Sequence, residues 1–464
     1  MYKYTHFIIL FFALQGCAYI PSLNTESTVI PDLYPESEIV TNNDESLPDW
    51  QNLYRDETLK TMIAIGLENN RDLKSAALNI EQSRALYDIQ AVEKYPNIDA
   101  TGSYSRQRNP QNTGSAVGDY YTVGLGLTSY ELDLFGRIES LSEAALNDYF
   151  ETLAAQRTIQ NALIASIART YIMFKADEAL LDVTNQTIES RAKAHDLSQI
   201  RLNEGIGTQL DVSNTNALLE QARGDQYQYI AAIEKGQNAL RFLLGTPRVM
   251  PDTGDIMALE DLDNIVTQIP VGLPSSLMTE RPDIIQAEYA LKSANADIGA
   301  ARAAFFPTVK LTATAGYVAP ELNDLFDSGS QAWQFAPQIT VPIFRWGSLK
   351  RQLDLASLRK EQAIVTYEQS IEMAFREVVD ALSDVKQYSS QLGNTEKVIT
   401  SNENALRLSQ LRYDEGIDNY LPVLDANRQL YTAQQLFISQ MAAKTIANVN
   451  LYQAIGGGTT LQER

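Results

Sequence analysis

The chain has 464 residues and a formal net charge of −21, from 37 basic and 58 acidic side chains. The length allows two or more ordinary domains, and the charge argues against nucleic acid as a partner. One cysteine excludes an internal disulfide, and with two histidines the sequence offers no zinc, phosphate-loop or triad spacing; no cofactor is expected, and no enzyme.

Residues 1–16 read as a secretory leader. Lys3 supplies a weak positive end, and the apolar run Phe7–Leu14 is too short to span a bilayer permanently. Leu14-Gln15-Gly16-Cys17 resembles a bacterial lipobox. The resemblance implies cleavage before Cys17 and its acylation, with palmitate among the acyl chains. Ala18, where an aspartate would retain the product, resembles lipoproteins sent to the outer membrane. Residues 17–49 then form a tether broken by Pro21, Pro31, Pro35 and Pro48. A lipid chain alone anchors marginally, so the remaining chain should also hold the membrane.

From about residue 72 the sequence repeats itself at an offset of 211, pairing Asp72 with Asp283, Pro96 with Pro307, Gly136 with Gly347 and Gly245 with Gly456. Such self-similarity indicates two structural repeats, here 50–245 and 275–456. The proline-rich link 246–274, with Asp261 and Asp263, should be irregular and solvated, and 457–464 is a tail. Each repeat opens with a helix, Asp72–Glu93 or Asp283–Ala304, stopped by Tyr95-Pro96 or Phe306-Pro307. Two strands follow in each: 96–108 and 119–134, then 307–319 and 332–345.

The strands alternate with period two. Ile98, Ala100, Gly102 and Tyr104 share a face, as do Tyr121, Val123, Leu125 and Leu127. Val309, Leu311, Ala313, Ala315 and Tyr317 do the same, and so do Trp333, Phe335, Ile339, Val341 and Ile343. Segments of about ten residues with one apolar and one polar face fit a membrane β-barrel. Tyr95, Phe135, Phe305, Phe306, Phe344 and Trp346 would form its interfacial belt. Four strands cannot enclose a lumen, and an open edge cannot lie in lipid. Three chains would supply twelve strands.

The hairpins 137–245 and 347–456 follow. Arg137–Glu204 contains no glycine or proline, and Ser348–Glu415 contains only Gly393. Each run could be a helix of roughly 100 Å. A heptad stripe runs Leu146, Leu153, Gln160, Ile167, Phe174, Leu181, Ile188, His195, Leu202; its counterpart runs from Ile364 to Tyr413. That period means long helices packed along their length, and places His195 in packing. The runs turn at Gly205 and Gly416 inside LSQIRLNEGIGTQLDV and LSQLRYDEGIDNYLPV.

Arg412–Tyr431, RYDEGIDNYLPVLDANRQLY, together with Glu280-Arg281-Pro282-Asp283-Ile284, the lipobox and the duplication, resembles the TolC-like outer-membrane factors. The branch is that of the lipoprotein outer-membrane components of tripartite RND efflux pumps (NodT type). The resemblance implies an α+β membrane protein: a homotrimer with a twelve-stranded outer-membrane barrel, continued by a coiled-coil helical periplasmic tunnel. It implies an exit channel for drugs and toxic compounds, with a periplasmic adaptor and an inner-membrane RND transporter as partners. Type I protein secretion and metal-ion efflux are the alternatives on the same fold; a passive porin and a periplasmic scaffold are the others.

The tips Arg201, Glu204, Gly205, Ile206, Arg412, Glu415, Gly416 and Ile417 would meet the adaptor. Asp211 and Tyr413 match the family's constriction, with Asp418 and Arg412 beside them. Both aspartates should start a returning helix, and in a trimer form an acidic ring of six carboxylates that passes cations and binds divalent ions; partners or cations must offset it, and Arg201, Arg412 and Tyr413 are near in sequence. Asp211, three after Thr208, also fits a capping box.

Overall fold

A computed structural model describes residues 20–23, 49–108, 117–246, 259–267 and 280–457. The leader, Cys17, most of the tether, most of the 246–274 link and nearly all of the tail lie outside the described residues.

The elements are α1 (Trp50–Leu53), α2 (Glu57–Asn69), α3 (Arg71–Val92), β1 (Ile98–Arg108), β2 (Val117–Leu132), α4 (Arg137–Asn203), α5 (Gln209–Leu243), α6 (Leu259–Asp263), α7 (Pro282–Ala303), β3 (Thr308–Ala319), β4 (Gln331–Thr340), α8 (Ser348–Asp414) and α9 (Leu421–Ala454). The duplication is reproduced in the helices. The starts of α3 and α7, both ends of α4 and α8, and the ends of α5 and α9 all fall 211 residues apart. Helices α4 and α8 have 67 residues each. Every member of both heptad stripes is buried or half-buried. No helix among the described residues is long and apolar enough to cross a membrane.

The chain divides into two compact units. The first holds 20–23, Asn79–Leu153 and Gln286–Glu368. Its centre is an antiparallel sheet in the order β1-β2-β3-β4. The register aligns the apolar positions of all four strands in rows, because opposed residues of an antiparallel pair share a face. One row is Ala100, Leu125, Ala315, Trp333; the next is Ile98, Leu127, Ala313, Phe335. These rows are bare: Trp333 is 80% exposed and Ile98 72%. On the other face Asp99, Gly126, Thr314 and Gln334 align.

Strand β4 stops at Thr340, short of the expected 345, so Val341 and Ile343 lie beyond it. Pro342 has no N–H to add to a ladder. Strand β2 begins at Val117, two residues before the expected 119. At the foot of the sheet the expected aromatics pair, Phe135 on Phe306 with ring centroids 4.8 Å apart and Phe344 on Trp346 at 4.7 Å. Asp133 starts α4, its two carboxylate oxygens accepting from Arg137 N and Glu139 N at 2.7 Å each.

The second unit holds the rest. Its core is built on α1 and α2, where Leu53, Leu59, Met62 and Ile63 are fully buried. Gly66 faces Ile167 of α4 and Leu244 at the end of α5. The described residues of the link, 259–267, form α6 and a bridge rather than irregular chain, and of its two acids Asp261 is exposed as expected while Asp263 is paired. Asp263 pairs with Lys444 at 2.8 Å, Thr445 Oγ1 donates to Leu262 O at 3.1 Å, and Tyr54 forms a β-bridge with Val266. Buried Arg281, before α7, binds Asp283 at 2.7 Å, Glu377 of α8 at 2.8 Å and Ala454 O at the end of α9.

Gly245 and Gly205 both have positive φ, +66° and +72°. A Cβ at Gly245 would meet Asn69 O, whereas at Gly205 nothing lies within 4 Å. Gly245→Ala should therefore destabilise by more than about 2 kcal/mol, and Gly205→Ala by only about 1 kcal/mol. Thermal melts of the two variants in detergent, compared with the parent, check the order.

Candidate functional site

The two hairpin turns are built alike. Helix α4 ends at Asn203, and Ile206 N and Gly207 N return to Arg201 O at 2.9 and 2.8 Å. Helix α8 ends at Asp414, and Ile417 N and Asp418 N return to Arg412 O at 2.9 and 3.4 Å. Gly205 and Gly416 take φ of +72° and +71°, the left-handed position that closes a helix C-terminus. The two tips project Ile206 and Ile417, both more than 60% exposed.

After the turns the chemistry diverges. Thr208 caps α5 in a full capping box: Asp211 N donates to Thr208 Oγ1 at 3.1 Å, and Thr208 N donates to Asp211 Oδ2 at 3.1 Å. Asp211 thus stands at the start of the returning helix, as expected. Asp418 does not. Helix α9 begins three residues later, at Leu421, with Pro422 in its first turn, a position where the missing N–H costs nothing. Nor is Asp418 a bare acid. Arg412 Nε donates to its Oδ2 at 2.5 Å and Nη2 to its Oδ1 at 3.1 Å. The guanidinium holds the Asp418 carboxyl below the usual aspartate value. Of the partners expected to offset the acidic ring, Arg412 takes Asp418: the turn folds Asp418 back onto its own chain's arginine.

Tyr413 is held by packing. The guanidinium of Arg201 lies 4.7 Å above its ring, and Tyr420 packs beside it at 4.7 Å. Burial, with Asp211 and Asp414 nearby, raises the Tyr413 hydroxyl pKa, and Arg201 opposes the rise. Beneath, Tyr420, Val423 and Leu424 of the α9 start form a small core with Ala194, Leu218 and Leu406. So Arg201 joins Tyr413, and Arg412 joins Asp418. Asp211 is held by Thr208 rather than by either arginine.

Sequence reasoning passed over a further charge pair. Asp425 lies one turn into α9 and meets Arg428 at 2.9 Å; the Asp-x-x-Arg spacing was its signal. It also passed over a polar seam along α4. Thr184 contacts Tyr431 at 2.9 Å, and Tyr431 donates to Asp225 at 3.1 Å. Ser198 and His195 contact Thr215 at 2.9 and 3.3 Å, so His195 packs as expected. The signal is the heptad Asp177, Thr184, Arg191, Ser198. Cys17 lies outside the described residues.

Comparison with known proteins agrees with this architecture. The chain matches the family described as "Outer membrane efflux protein" twice, over residues 63–246 and 273–457. It is 40% identical over 462 residues to the solvent efflux pump outer membrane protein SrpC of Pseudomonas putida, covering 97% of each chain. It is 38% identical over 421 residues to the outer membrane protein OprJ of Pseudomonas aeruginosa, covering 88% of this chain and 86% of that one. Its fold is similar to the open state of the MtrE outer membrane channel of Neisseria gonorrhoeae, with a TM-score of 0.86, 34% identity and coverage of 95% and 98%. A duplicated helical hairpin, four amphipathic strands and whole-length relatives of this kind lead to one conclusion: the chain belongs to the outer membrane efflux protein family and is an outer-membrane efflux channel.

Proposed function

We propose that three copies of the chain close a twelve-stranded barrel in the outer membrane, continue it as a coiled-coil helical tunnel into the periplasm, and form the exit duct of a tripartite pump. The observation that carries this reading is the sheet, with an apolar face bare in one chain and β1 and β4 at its two edges. Open edges are not tolerated in lipid; other copies must pair with them. The partners are a periplasmic adaptor and an inner-membrane RND transporter, and an acylated Cys17 adds a lipid anchor. Relatives named for solvent, toluene and antibiotic efflux support small apolar toxic compounds as cargo. The reading includes no catalysis.

The hairpin tips dock the adaptor through Arg201, Gly205, Ile206, Gly416 and Ile417. The periplasmic gate is Asp211 with Tyr413, braced by the Arg412–Asp418 pair. Asp211 has no cationic partner among the described residues, so it is the acid left to attract cations.

Chemical cross-linking of the purified protein in detergent should stop at a three-chain band; a monodisperse monomer by light scattering would end the trimer reading. Gly205→Trp and Gly416→Trp should abolish efflux in cells while trimers and membrane insertion persist, and export that survives both variants would remove the tips as the docking surface.

The gate has a pH signature. Because Arg412 lowers the Asp418 pKa, the clamp is complete at neutral pH and is lost only as pH falls through that lowered value, beneath the ordinary aspartate range. Single-channel conductance should therefore stay flat from pH 8 to 5 and rise only beneath that range. Asp418→Asn should show the raised conductance already at pH 7; an unchanged trace in that variant would leave the pair without a role in gating.

A further inference from the structure

Arg191 of α4 is 95% enclosed by its own chain, since its exposure is 5%. Its Nη1 donates to Leu218 O at 2.7 Å, and the guanidinium lies 4.9 Å from the Tyr431 ring centre. Its Nε–H is buried and meets no acceptor among the described residues. No carboxylate is hydrogen-bonded to it: Asp225, whose charge acts on it, accepts from the Tyr431 hydroxyl instead. A buried N–H without an acceptor is costly, and an arginine does not escape by losing its proton.

Arg191 lines a cavity of about 20 Å³, enough for one water-sized ligand. Ser190 adds a hydroxyl and Asn427 a side-chain amide. Tyr420 and Leu424 close it from the first turn of α9, where the helix dipole is positive. A water could accept the Nε–H bond; an anion would in addition meet the guanidinium charge, which Asp225 offsets without a hydrogen bond to it.

We propose that this cavity binds one small monovalent anion of the chloride class, which accepts from Arg191 Nε and ties the start of α9 to α4 and α5. The site is independent of the efflux assignment, and its test reads binding rather than transport. Crystals of the native full-length protein soaked in sodium bromide should show an anomalous peak within hydrogen-bonding distance of Arg191 Nε. A water there, or an empty cavity, at saturating bromide overturns the proposal. In solution, replacing sodium gluconate by sodium chloride at equal ionic strength should raise Tm by about 2–4 °C. Arg191→Met should abolish that difference and Arg191→Lys, which lacks the Nε–H, should reduce it. The same chloride response in Arg191→Met as in the parent also overturns it, and the bromide result on native protein stands even if the methionine variant does not fold.

Discussion

The constraint from which the rest follows is the backbone at the two sheet edges. Strands β1 and β4 each carry a row of N–H and C=O groups on their outer side, and lipid offers nothing to bond them. The apolar rows led by Ala100 and Ile98 make water equally unsuitable for the other dimension of the sheet. Burial of that face stabilises at roughly 25 cal/mol per Å² only when lipid replaces water. Such a sheet needs partners along both edges in lipid, which the proposed barrel would supply. Each repeat contributes two adjoining strands, and β2 meets β3 through Gly124 opposite Gly316, where a Cβ on either would strike the facing backbone.

The duplication solves one geometric problem twice and then departs from itself in chemistry. Both long helices end on the same left-handed glycine with the same backbone return bonds. The first turn then restarts its helix with a threonine–aspartate box. The second uses an ion pair, a delayed start and a proline. Exposed pairs such as Arg412–Asp418 contribute little to stability, so this difference alters what the tip presents more than how firmly it folds. One chain thereby offers two unlike tips from one ancestral plan.

Away from the tips, buried polarity is concentrated where elements distant in sequence meet. Arg281 gathers the start of α7, the middle of α8 and the end of α9 around one guanidinium. The α4 seam does the same for α5 and α9 through Thr184, Arg191 and Ser198. Burying such groups is weakly stabilising at best, but leaving one unpaired is costly. They therefore favour a single alignment of long helices that apolar stripes alone would let slide.

Much of this was legible in the sequence because it rests on local rules. Period two assigned the strand faces, the seven-residue period assigned the packed stripe, and glycine at 205 and 416 marked the turns by sterics. The 211-residue offset carried every assignment from one repeat to the other. What the sequence alone did not determine was which groups meet. Arg201 and Arg412 lie near Asp211 and Asp418 in sequence, and only the turn decides that Arg412 meets Asp418. Asp263 reads as solvated until Lys444, 181 residues away, reaches it. Helices α1 and α2 were missed because their partners lie far along the chain: Leu53 O accepts from Thr267 N, and Gly66 faces Ile167 and Leu244. Periodicity records how one element faces its surroundings, whereas the partner of a charge or a buried side chain is set by the path of the whole backbone.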